Sequence, residues 1–315
     1  MSAQQHNVFS RFQGWSGEVP EGLLVEWLGD RVPAALLGRR WTPRVRSAAA
    51  SAPAFDEEYF EWIDVLEMAL QAADVYTFLE LGAGYGRWSS RAAWAARQLG
   101  KRYRLGLAEA APKHVRQIHE VMAVNRISRS DYVVFESAIA RERGEGCFVV
   151  EYPDGNAPPV WYGQALTQNS MSRAQVVGEH EGFPLWRMKD GWGVIKVPQI
   201  PLSEVLSQYD NVDLADLDLQ GAEAGAVEEA LPLLTERVRR LHIGTHSHEI
   251  EANLRELLGK AGWTCLRDYA CTQDNDTPFG RISFVDGVQT WTNPRYSGPW
   301  AAVRRALSKV FRRGR

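Results

Sequence analysis

The fold is decided by the stretch Val75-Tyr-Thr-Phe-Leu-Glu80-Leu-Gly82-Ala-Gly84-Tyr-Gly86-Arg-Trp, in which an apolar run ends in an acid and three alternating glycines. The apolar run predicts a buried strand, and the glycines permit a tight turn where the backbone approaches a ligand closely. A helix predicted over residues 86–99 points its N-terminal amides at the same place. The stretch therefore predicts a nucleotide-cofactor site, and the alternative is a loop with chance glycines.

The glycine spacing distinguishes between cofactors. Dinucleotide-binding folds prefer G-x-G-x-x-G, whereas the order here is Glu-x-Gly-x-Gly-x-Gly. An acid at Glu80 repels a pyrophosphate but suits the cationic amino end of S-adenosylmethionine (SAM). A second predicted strand, over residues 103–108, ends at Glu109, where an acid is expected to bind ribose hydroxyls. We therefore expect SAM as the cofactor.

Strands and helices alternate from Val75 onward, which predicts a doubly wound, Rossmann-like α/β sheet. The predicted core strands are residues 75–79, 103–108, 131–135, 212–218, 238–243 and 281–285. The predicted helices that follow or separate them are residues 86–99, 112–124, 222–234 and 249–261. We expect this domain to span residues 74–290.

Three further segments surround the predicted sheet. Residues 1–73 predict an N-terminal helical region, with helices at 21–37 and 56–72 joined by a Ser/Ala-rich linker at 47–53. Residues of about 144–198 predict a β-rich insertion, with short strands at 146–152, 185–189 and 192–197. The insertion is expected to form a substrate lid, or else an edge extension of the sheet. Residues 291–315 form a basic C-terminal tail.

Composition excludes several classes of protein. The chain has 315 residues, 45% of them hydrophobic, and a net charge of -3, which argues against a general nucleic-acid binder. The three cysteines are too few and too irregularly spaced for a disulfide framework or a zinc site. The first residues lack a signal-peptide pattern, and no apolar run approaches the ~20 residues of a membrane span. We expect a cytoplasmic protein.

Candidate catalytic residues follow the fourth and fifth predicted strands. Asp216 and Asp218 alternate onto one face of the fourth strand, and Glu223 lies in the first turn of the next helix. His246 and His248 follow the fifth strand. If these strands are neighbours, Asp218 and His246 approach each other near the transferred methyl group. A histidine of near-neutral pKa suits removal of a proton from an attacking hydroxyl.

The same residue types admit other interpretations. His246 and His248 are also typical of polar loops and of helix caps. A divalent metal is possible, because carboxylates and histidines are available as ligands, but their spacing establishes no site. The candidates for such a site are Asp213, Asp216, Asp218, Glu223, His246 and His248.

The chain resembles the FkbM family of SAM-dependent methyltransferases over about residues 75–285. The strongest similarity is Val212 to Glu223, which resembles the family block "vDxxKxDvQGxE". Shorter similarities lie at Glu80-Leu-Gly-Ala-Gly, at Leu107-Ala-Glu109-Ala and Asn125, at Ser137-Ala138-Ile139, at Gln168-Asn169-Ser170-Met-Ser172, and at Ile243 to His246. The sequence departs from the family at Gly84, where asparagine is usual, at Asp216, where lysine is usual, and at Gly244, where glutamate is usual.

The resemblance implies a class I methyltransferase sheet and O-methylation of a hydroxyl. The implied acceptor is a carbohydrate, a glycolipid intermediate or a polyketide-type product. Taken with the glycine turn, it makes the cofactor-binding candidates Glu80, Gly82, Ala83, Gly84, Gly86, Glu109, Ala110, Ser137 and Ala138. His246 is the favoured base, with Asp218 and Glu223 shaping the acceptor site and His248 as a further candidate. The alternatives are a nicotinamide-dependent sugar oxidoreductase and a SAM-binding or glycan-binding module without catalysis.

Two further features bear on partners. Aromatic residues of the insertion and of the segment after the last predicted strand are candidates for stacking on sugars, although core packing explains most tryptophans. They are Trp161, Tyr162, Phe183, Trp186, Trp192 and Trp291. Residues 301–315 carry six positive charges and no acid, which is typical of a frayed tail or of a basic helix that contacts an anionic membrane. No nucleic-acid partner is expected.

Overall fold

The computed structural model describes residues 5–37, 47–49, 52–153, 166–167 and 174–296. The strands, in chain order, are β1 (Ser16–Glu18), β2 (Leu23–Val25), β3 (Arg31–Pro33), β4 (Ser47–Ala49), β5 (Val75–Leu81), β6 (Arg102–Ala108), β7 (Tyr132–Phe135), β8 (Ala138–Ala140), β9 (Gly144–Glu151), β10 (Leu166–Thr167), β11 (Gln175–His180), β12 (Phe183–Arg187), β13 (Gly193–Pro201), β14 (Val212–Leu217), β15 (Val238–Thr245), β16 (Thr264–Tyr269), β17 (Gln273–Thr277), β18 (Gly280–Phe284) and β19 (Gly287–Thr292). The α-helices are α1 (Tyr59–Gln71), α2 (Arg87–Gln98), α3 (Pro112–Val124), α4 (Leu202–Ser207), α5 (Glu223–Arg237) and α6 (His248–Lys260).

A seven-stranded sheet forms the centre of the molecule, in the order β16-β19-β15-β14-β5-β6-β7. The five strands from β7 to β15 are parallel, whereas β19 pairs antiparallel with both β15 and β16. Helices cover both faces, so the predicted doubly wound α/β fold of the class I methyltransferase type is confirmed. The order reverses between β5 and β14, and open α/β sheets bind ligands at such a switch point.

Successive side chains of β5 point to opposite faces of the central sheet and belong to a separate hydrophobic core on each face. Tyr76 and Phe78 pack with α1 and α2 on one face, and Leu79 and Leu81 pack with α4, α5 and α6 on the other. Glu80 therefore lies on the α1 face, because successive strand residues point to opposite sides. This face carries the polar residues that reach the site.

The N-terminal region differs from the prediction. The expected helix at residues 21–37 is wrong, since β2 and β3 pair there as an antiparallel hairpin that runs into a short 3-10 helix, Ala34–Leu37. Gly22 and Gly29 have φ of 73° and 100°, which glycine tolerates and which interrupts a helix. Of the expected linker, Ser47–Ala49 forms a strand with β1. The second predicted helix is present as α1.

The last part of the core sheet also differs. The predicted core strand at residues 281–285 is present as β18, but it pairs with β17 in a separate hairpin. The core sheet instead ends with β16 and β19, which the sequence analysis missed. Strand β16 alternates exposed and half-buried residues, and β19 buries Gln289 and Thr290, so neither has an apolar strand pattern.

The expected insertion forms a second sheet, in the order β10-β9-β13-β12-β11, with β8 paired to β13. Its apolar face, which includes Phe148, Ile195 and Val197, packs on Ala110 and Ala111 just beyond the carboxyl end of β6. It is thus a separate sheet next to the switch point and not an extension of the central one. A lid function for it stays a prediction.

Candidate cofactor and acceptor site

A cavity of 440 Å³ lies at the carboxyl ends of β5, β6 and β14. Its volume is in the usual range for small-molecule sites. Eight of the nine cofactor-binding candidates line it: Glu80, Gly82, Ala83, Gly84, Glu109, Ala110, Ser137 and Ala138. Asp218 lines it as well, so the structure brings the predicted cofactor site and part of the predicted acceptor site into one space.

Gly82 lets two strands approach closely at the floor of the cavity. Its φ is 89°, and a Cβ atom at this position would lie 1.8 Å from the carbonyl oxygen of Asp218. The N–H groups of Gly82 and Ala83 both donate to the carbonyl of Ala108, which ties the glycine loop to the end of β6. Only glycine fits here, for both conformation and space.

Gly86 has a different role from the one predicted. It does not line the cavity, but precedes α2 with φ of 79° and packs against Leu107 and Met122. A Cβ atom there would lie 2.9 Å from the methyl group of Met122. This glycine therefore allows α2 and α3 to pack closely beside β6, and any effect on cofactor binding is indirect.

Glu80 is the penultimate residue of β5 and is 4% exposed. Its carboxylate accepts hydrogen bonds from the backbone N–H groups of Trp88, at 3.1 Å, and Ser89, at 2.8 Å, in the first turn of α2. Burial outweighs these bonds, and with the nearby Asp216 it raises the pKa of Glu80 to about 8. The group is thus protonated in much of the ligand-free protein at neutral pH, and a cation in the cavity favours its ionised form.

Glu109 joins the glycine loop to the end of β6. The N–H of Gly84 donates to Oε2 at 2.7 Å, and the N–H of Ala111 donates to Oε1 at 2.7 Å. His114 Nδ1 lies 3.7 Å from Oε1. The second-strand acid and the glycine turn, which the sequence analysis assigned to one cofactor, are therefore in direct contact at the cavity wall.

The sequence analysis missed Glu61 of α1, which faces Asp216 across the cavity wall. Burial and the neighbouring Asp216 carboxyl group raise the pKa of Glu61 well above its usual range. Burial raises the pKa of Asp216 to about 6, against the opposing influence of His242 and of a hydrogen bond with Glu61. One signal was available, because Glu61 and Asp64 are three residues apart and share a helix face.

Asp218, Glu223 and His246 lie together, as predicted. His246 Nδ1 is 2.8 Å from Glu223 Oε1, and Nε2 is 3.3 Å from Asp218 Oδ1 and 3.7 Å from Asp286 Oδ1. Burial disfavours the charged imidazole, but the carboxylates of Asp218 and Glu223 outweigh it and raise the pKa of His246 to about 10. Contrary to the expected near-neutral histidine, His246 is therefore protonated at neutral pH, and an imidazolium cannot accept a proton.

Among these three residues, Asp218 alone lines the cavity. Its side chain is 44% exposed, and Gln220 Nε2 donates to its Oδ1 at 2.7 Å. Glu223 is fully buried and accepts hydrogen bonds from the N–H groups of Leu219 and Gly221 at the start of α5. Asp218 is thus the carboxylate that a second reactant can reach, with His246 behind it.

His248 does not join this group. Ser247 caps α6 by accepting a hydrogen bond from the N–H of Ile250, which makes His248 the first helical residue. Its Nδ1 lies 3.1 Å from Glu251 Oε2 and 3.9 Å from Cys271 Sγ. The structure thus places His248 beside Glu251 and outside the cavity.

A metal ion fits this group poorly. Ligand atoms of Asp218, Glu223 and His246 lie within 4.8 Å of one another, close enough for one ion. However, the Glu223 oxygens already accept backbone hydrogen bonds, and His246 is held between carboxylates. Asp213, another candidate ligand, lies at the opposite end of β14, where it pairs with Arg239 and accepts from the N–H of Thr77. We derive no chemistry from a metal here.

The candidates for sugar stacking lie elsewhere. Trp186 packs against Lys196, Trp192 against Tyr152, Phe183 against the insertion core, and Trp291 in the central core. None of these four lines the cavity. Trp161, Tyr162, the polar run at residues 168–172 and the basic tail at residues 301–315 lie outside the described residues.

The free energy of unfolding of the ligand-free protein is expected to fall as the pH rises from about 5.5 to about 9. Glu80, Asp216 and His246 all have raised pKa values, so the folded state holds protons that the unfolded state has released. The contribution of each group to the free energy of unfolding is complete below the ordinary pKa of that group. It is lost as the pH rises through the pKa of the group in the folded state. Urea denaturation at three pH values measures the trend.

Glu80→Gln is the matched variant for this trend, because it keeps the shape of the side chain and removes its titration. Its stability should fall less steeply with pH than that of the wild type. A wild-type stability that rises over the same interval would contradict the assignment of raised pKa values.

The chain is similar to known proteins in sequence and in structure. No family model matches the chain. The chain is 24% identical, over 298 residues, to the "Putative methyltransferase" of Jannaschia sp. (strain CCS1), covering 91% of this chain and 98% of that protein.

Among solved structures, the chain is similar to methyltransferase FkbM from Methylobacillus flagellatus KT, with a TM-score of 0.42 and 11% identity over 76% of this chain and 55% of that protein. It thus spans about half the length of that relative. It is also similar to precorrin-6y C5,15-methyltransferase from Geobacter metallireducens GS-15, with a TM-score of 0.40 and 11% identity over 77% of this chain and 92% of that protein. Likenesses of this size carry no information about the reaction or the acceptor.

Within the described residues, no helix combines the length and the apolar character that crossing a membrane requires.

Proposed function

We propose that the protein is a SAM-dependent methyltransferase. The observation that carries the proposal is the contact of Glu109 with the N–H of Gly84, because it unites a second-strand acid with a glycine turn at the sheet's switch point. The relative from Jannaschia, which carries the name of a methyltransferase, supports the proposal. The departure from G-x-G-x-x-G spacing speaks against a nicotinamide-dependent oxidoreductase.

The cavity offers distinct surroundings to the two ends of SAM. The adenine end fits the less polar part, lined by Ala138, Ile139, Phe148 and Leu166, and the ribose hydroxyls fit the Glu109 carboxylate. The methionine end fits the acidic part near Glu80 and Asp218. When bound, SAM supplies an activated methyl group on a sulfonium.

We further propose that the acceptor is a hydroxyl, on a carbohydrate or a glycolipid intermediate. A hydroxyl that attacks a methyl group must lose its proton, and Asp218 is the carboxylate of the Asp218, Glu223 and His246 group that lines the cavity. The imidazolium of His246 forms an ion pair with Asp218, and Gln220 donates a hydrogen bond to the same carboxylate. His246 itself stays the alternative base, provided that substrate binding lowers its pKa. A polyketide-type acceptor and a binding module without catalysis are the competing proposals.

S-adenosylhomocysteine (SAH), but not NAD, is expected to bind and stabilise the protein, by about 2.7 kcal/mol at 100 times its dissociation constant. Glu109→Gln should weaken SAH binding by about 10-fold or more, because it replaces a charged acceptor with an amide. Thermal melting and calorimetric titration measure both effects. Stabilisation by NAD and not by SAH would overturn the proposal.

Measuring the stability of Glu109→Gln without SAH separates a structural role of Glu109 from a role in cofactor binding. Because Glu109 also accepts from the N–H groups of Gly84 and Ala111, Glu109→Gln should cost some stability as well. If the variant lost stability to the same extent as SAH affinity, Glu109 would act through the glycine loop alone.

Asp218→Asn is expected to reduce methyl transfer by about 100-fold or more while SAH affinity changes little, since it removes the proton acceptor. His246→Gln should have a smaller effect on turnover, because it removes the group that positions Asp218. Transfer of labelled methyl from SAM to a panel of sugars and glycolipids measures the rates.

His248→Ala is the matched histidine control, since its side chain is 62% exposed and lies outside the cavity. It should leave turnover unchanged. If His246→Gln were the more damaging variant and Asp218→Asn the milder one, the base would be His246.

A further inference from the structure

A row of polar side chains crosses the central sheet beneath α1. In the strand register, Glu80 of β5 lies beside Asp216 of β14, which lies beside His242 of β15. All three are on the face that α1 covers, and all three line the cavity. Glu61 and Asp64 of α1 lie above the same row. At the balanced end of this row, an acid is paired with cationic side chains. At the unbalanced end, acids lie next to other acids.

The balanced end is built around Asp64, which is fully buried. Its carboxylate lies 3.0 Å from Arg240 Nη1, 2.7 Å from Arg267 Nη1 and 2.9 Å from His242 Nδ1. Thr290 donates a further hydrogen bond. The cationic groups at this end are thus already paired within the protein.

The unbalanced end contains Glu61, Asp216 and Glu80. Asp216 is 4% exposed and faces the cavity, yet within the described ranges its hydrogen-bond partner is another acid, Glu61. Arg87, which lines the cavity, and Arg91 pair with Glu26 and Glu58. A buried carboxylate without a cation is costly, and protonation reduces this cost in the free protein, since Glu61, Asp216 and Glu80 all have raised pKa values. A cation in the cavity favours their ionised forms.

We propose that Glu61 and Asp216 form a subsite for an aliphatic ammonium group of a ligand bound in the cavity. The ammonium comes from one of two sources, the methionine end of the cofactor or an amino group on the acceptor. The second source deepens the proposed methyltransferase function and rests on it. An acceptor bound in this way is an amino-bearing compound, such as an amino sugar, and not a neutral carbohydrate.

A metal ion is a poorer occupant than an ammonium. Glu80 directs its oxygens at the backbone of α2, and in the described part of the chain Glu61, Glu80 and Asp216 do not form a group whose ligand atoms all lie within 4.8 Å of one another. Two carboxyl groups leave a divalent ion under-coordinated, since hard cations take six or more oxygen ligands. An ammonium needs only a few acceptors, because it has three N–H donors.

The test uses Asp216→Asn and Glu61→Gln, with Glu57→Gln as the control. Glu57 lines the same cavity and its variant loses the same charge, but its carboxylate accepts a hydrogen bond from the N–H of Val285. Calorimetry measures the binding of SAH, of 5′-methylthioadenosine, which lacks the amino acid end, and of 1,4-diaminobutane to the free protein and to the SAH complex. Circular dichroism confirms folding of each variant.

Two results support the subsite and identify its source. If the ammonium belongs to the cofactor, both variants lose SAH affinity by about 10-fold or more, whereas 5′-methylthioadenosine binds as to the wild type. If it belongs to the acceptor, SAH and 5′-methylthioadenosine bind normally, and the affinity for 1,4-diaminobutane falls by about 10-fold or more. Glu57→Gln should change neither.

Two other results overturn it. The subsite is refuted if the variants bind SAH and 1,4-diaminobutane as the wild type does, or if SAH and 5′-methylthioadenosine weaken equally. Failure of the methyltransferase proposal has a different signature, because the wild type then binds neither SAH nor 5′-methylthioadenosine. Binding of 1,4-diaminobutane to the free protein still decides the subsite in that case, and its absence refutes it.

Discussion

Gly82→Ala is expected to destabilise the protein by about 4 kcal/mol or more and to abolish SAH binding. The added Cβ would lie 1.8 Å from the carbonyl oxygen of Asp218, and a backbone group cannot move aside as a side chain can. The glycine loop must therefore separate from β14, which opens both the cofactor and the acceptor part of the cavity. Urea denaturation and SAH titration measure the two losses.

Gly84→Ala is the matched control in the same loop. Gly84 also has a positive φ, of 51°, but a Cβ atom there meets nothing within 4 Å, and its N–H to Glu109 is retained. This variant should lose only about 1 to 2 kcal/mol, from the left-handed conformation alone. If Gly82→Ala were no worse than Gly84→Ala, the close approach of the loop to β14 would be wrong.

Asp64→Ala is expected to destabilise the protein by about 3 to 5 kcal/mol, because it removes the fully buried carboxylate that Arg240 and Arg267 share and leaves them the partly exposed Glu67. Those arginines and His242 hold the pKa of Asp64 well below its usual range, which shows that the ionised form is the stabilised one. Urea denaturation at neutral pH measures the loss.

Glu67→Ala is the control for this network, since Glu67 contacts the same two arginines but is 23% exposed at its side chain. Solvent can replace part of its interaction, so its loss should be clearly smaller. If the two variants lost the same free energy of unfolding, the burial of Asp64 would add nothing to the strength of its ion pairs. A loss of SAH binding in Asp64→Ala, at a pH and temperature where it is folded, would connect this network to the cavity.

Local patterns were sufficient for most of the central fold. The apolar run of β5, the glycine turn and the helical period of α3 are properties of neighbouring residues, and the structure contains each close to its predicted position. The hairpin β2–β3 was missed because its apolar residues also match a helical period, and its glycines decide the conformation. Strand β19 was missed because it buries Gln289 and Thr290, which donate hydrogen bonds to residues that are distant in sequence.

The site divides in the same way. The acids at the ends of β5, β6 and β14 could be predicted, since parallel neighbouring strands bring their carboxyl ends to one edge. Glu61 could be placed on the same helix face as Asp64, but its contact with Asp216 could not be predicted, because it depends on how α1 crosses the sheet. His246 was correctly expected near Asp218 and Glu223, but its charge state was not.

Local backbone preferences and side-chain periodicity thus predict most strands and helices of the central sheet, the glycine turn and the edge of the sheet where ligands bind, but not β16 and β19. Only the tertiary structure decided which charged groups are balanced. The pKa values of Glu80, Asp216 and His246 depend on burial and on carboxylates from other elements, which are adjacent in space and remote in sequence. The ionisation of the acids that line the cavity, and with it the proposed ammonium subsite, therefore depends on how α1 and β15 pack against the central strands.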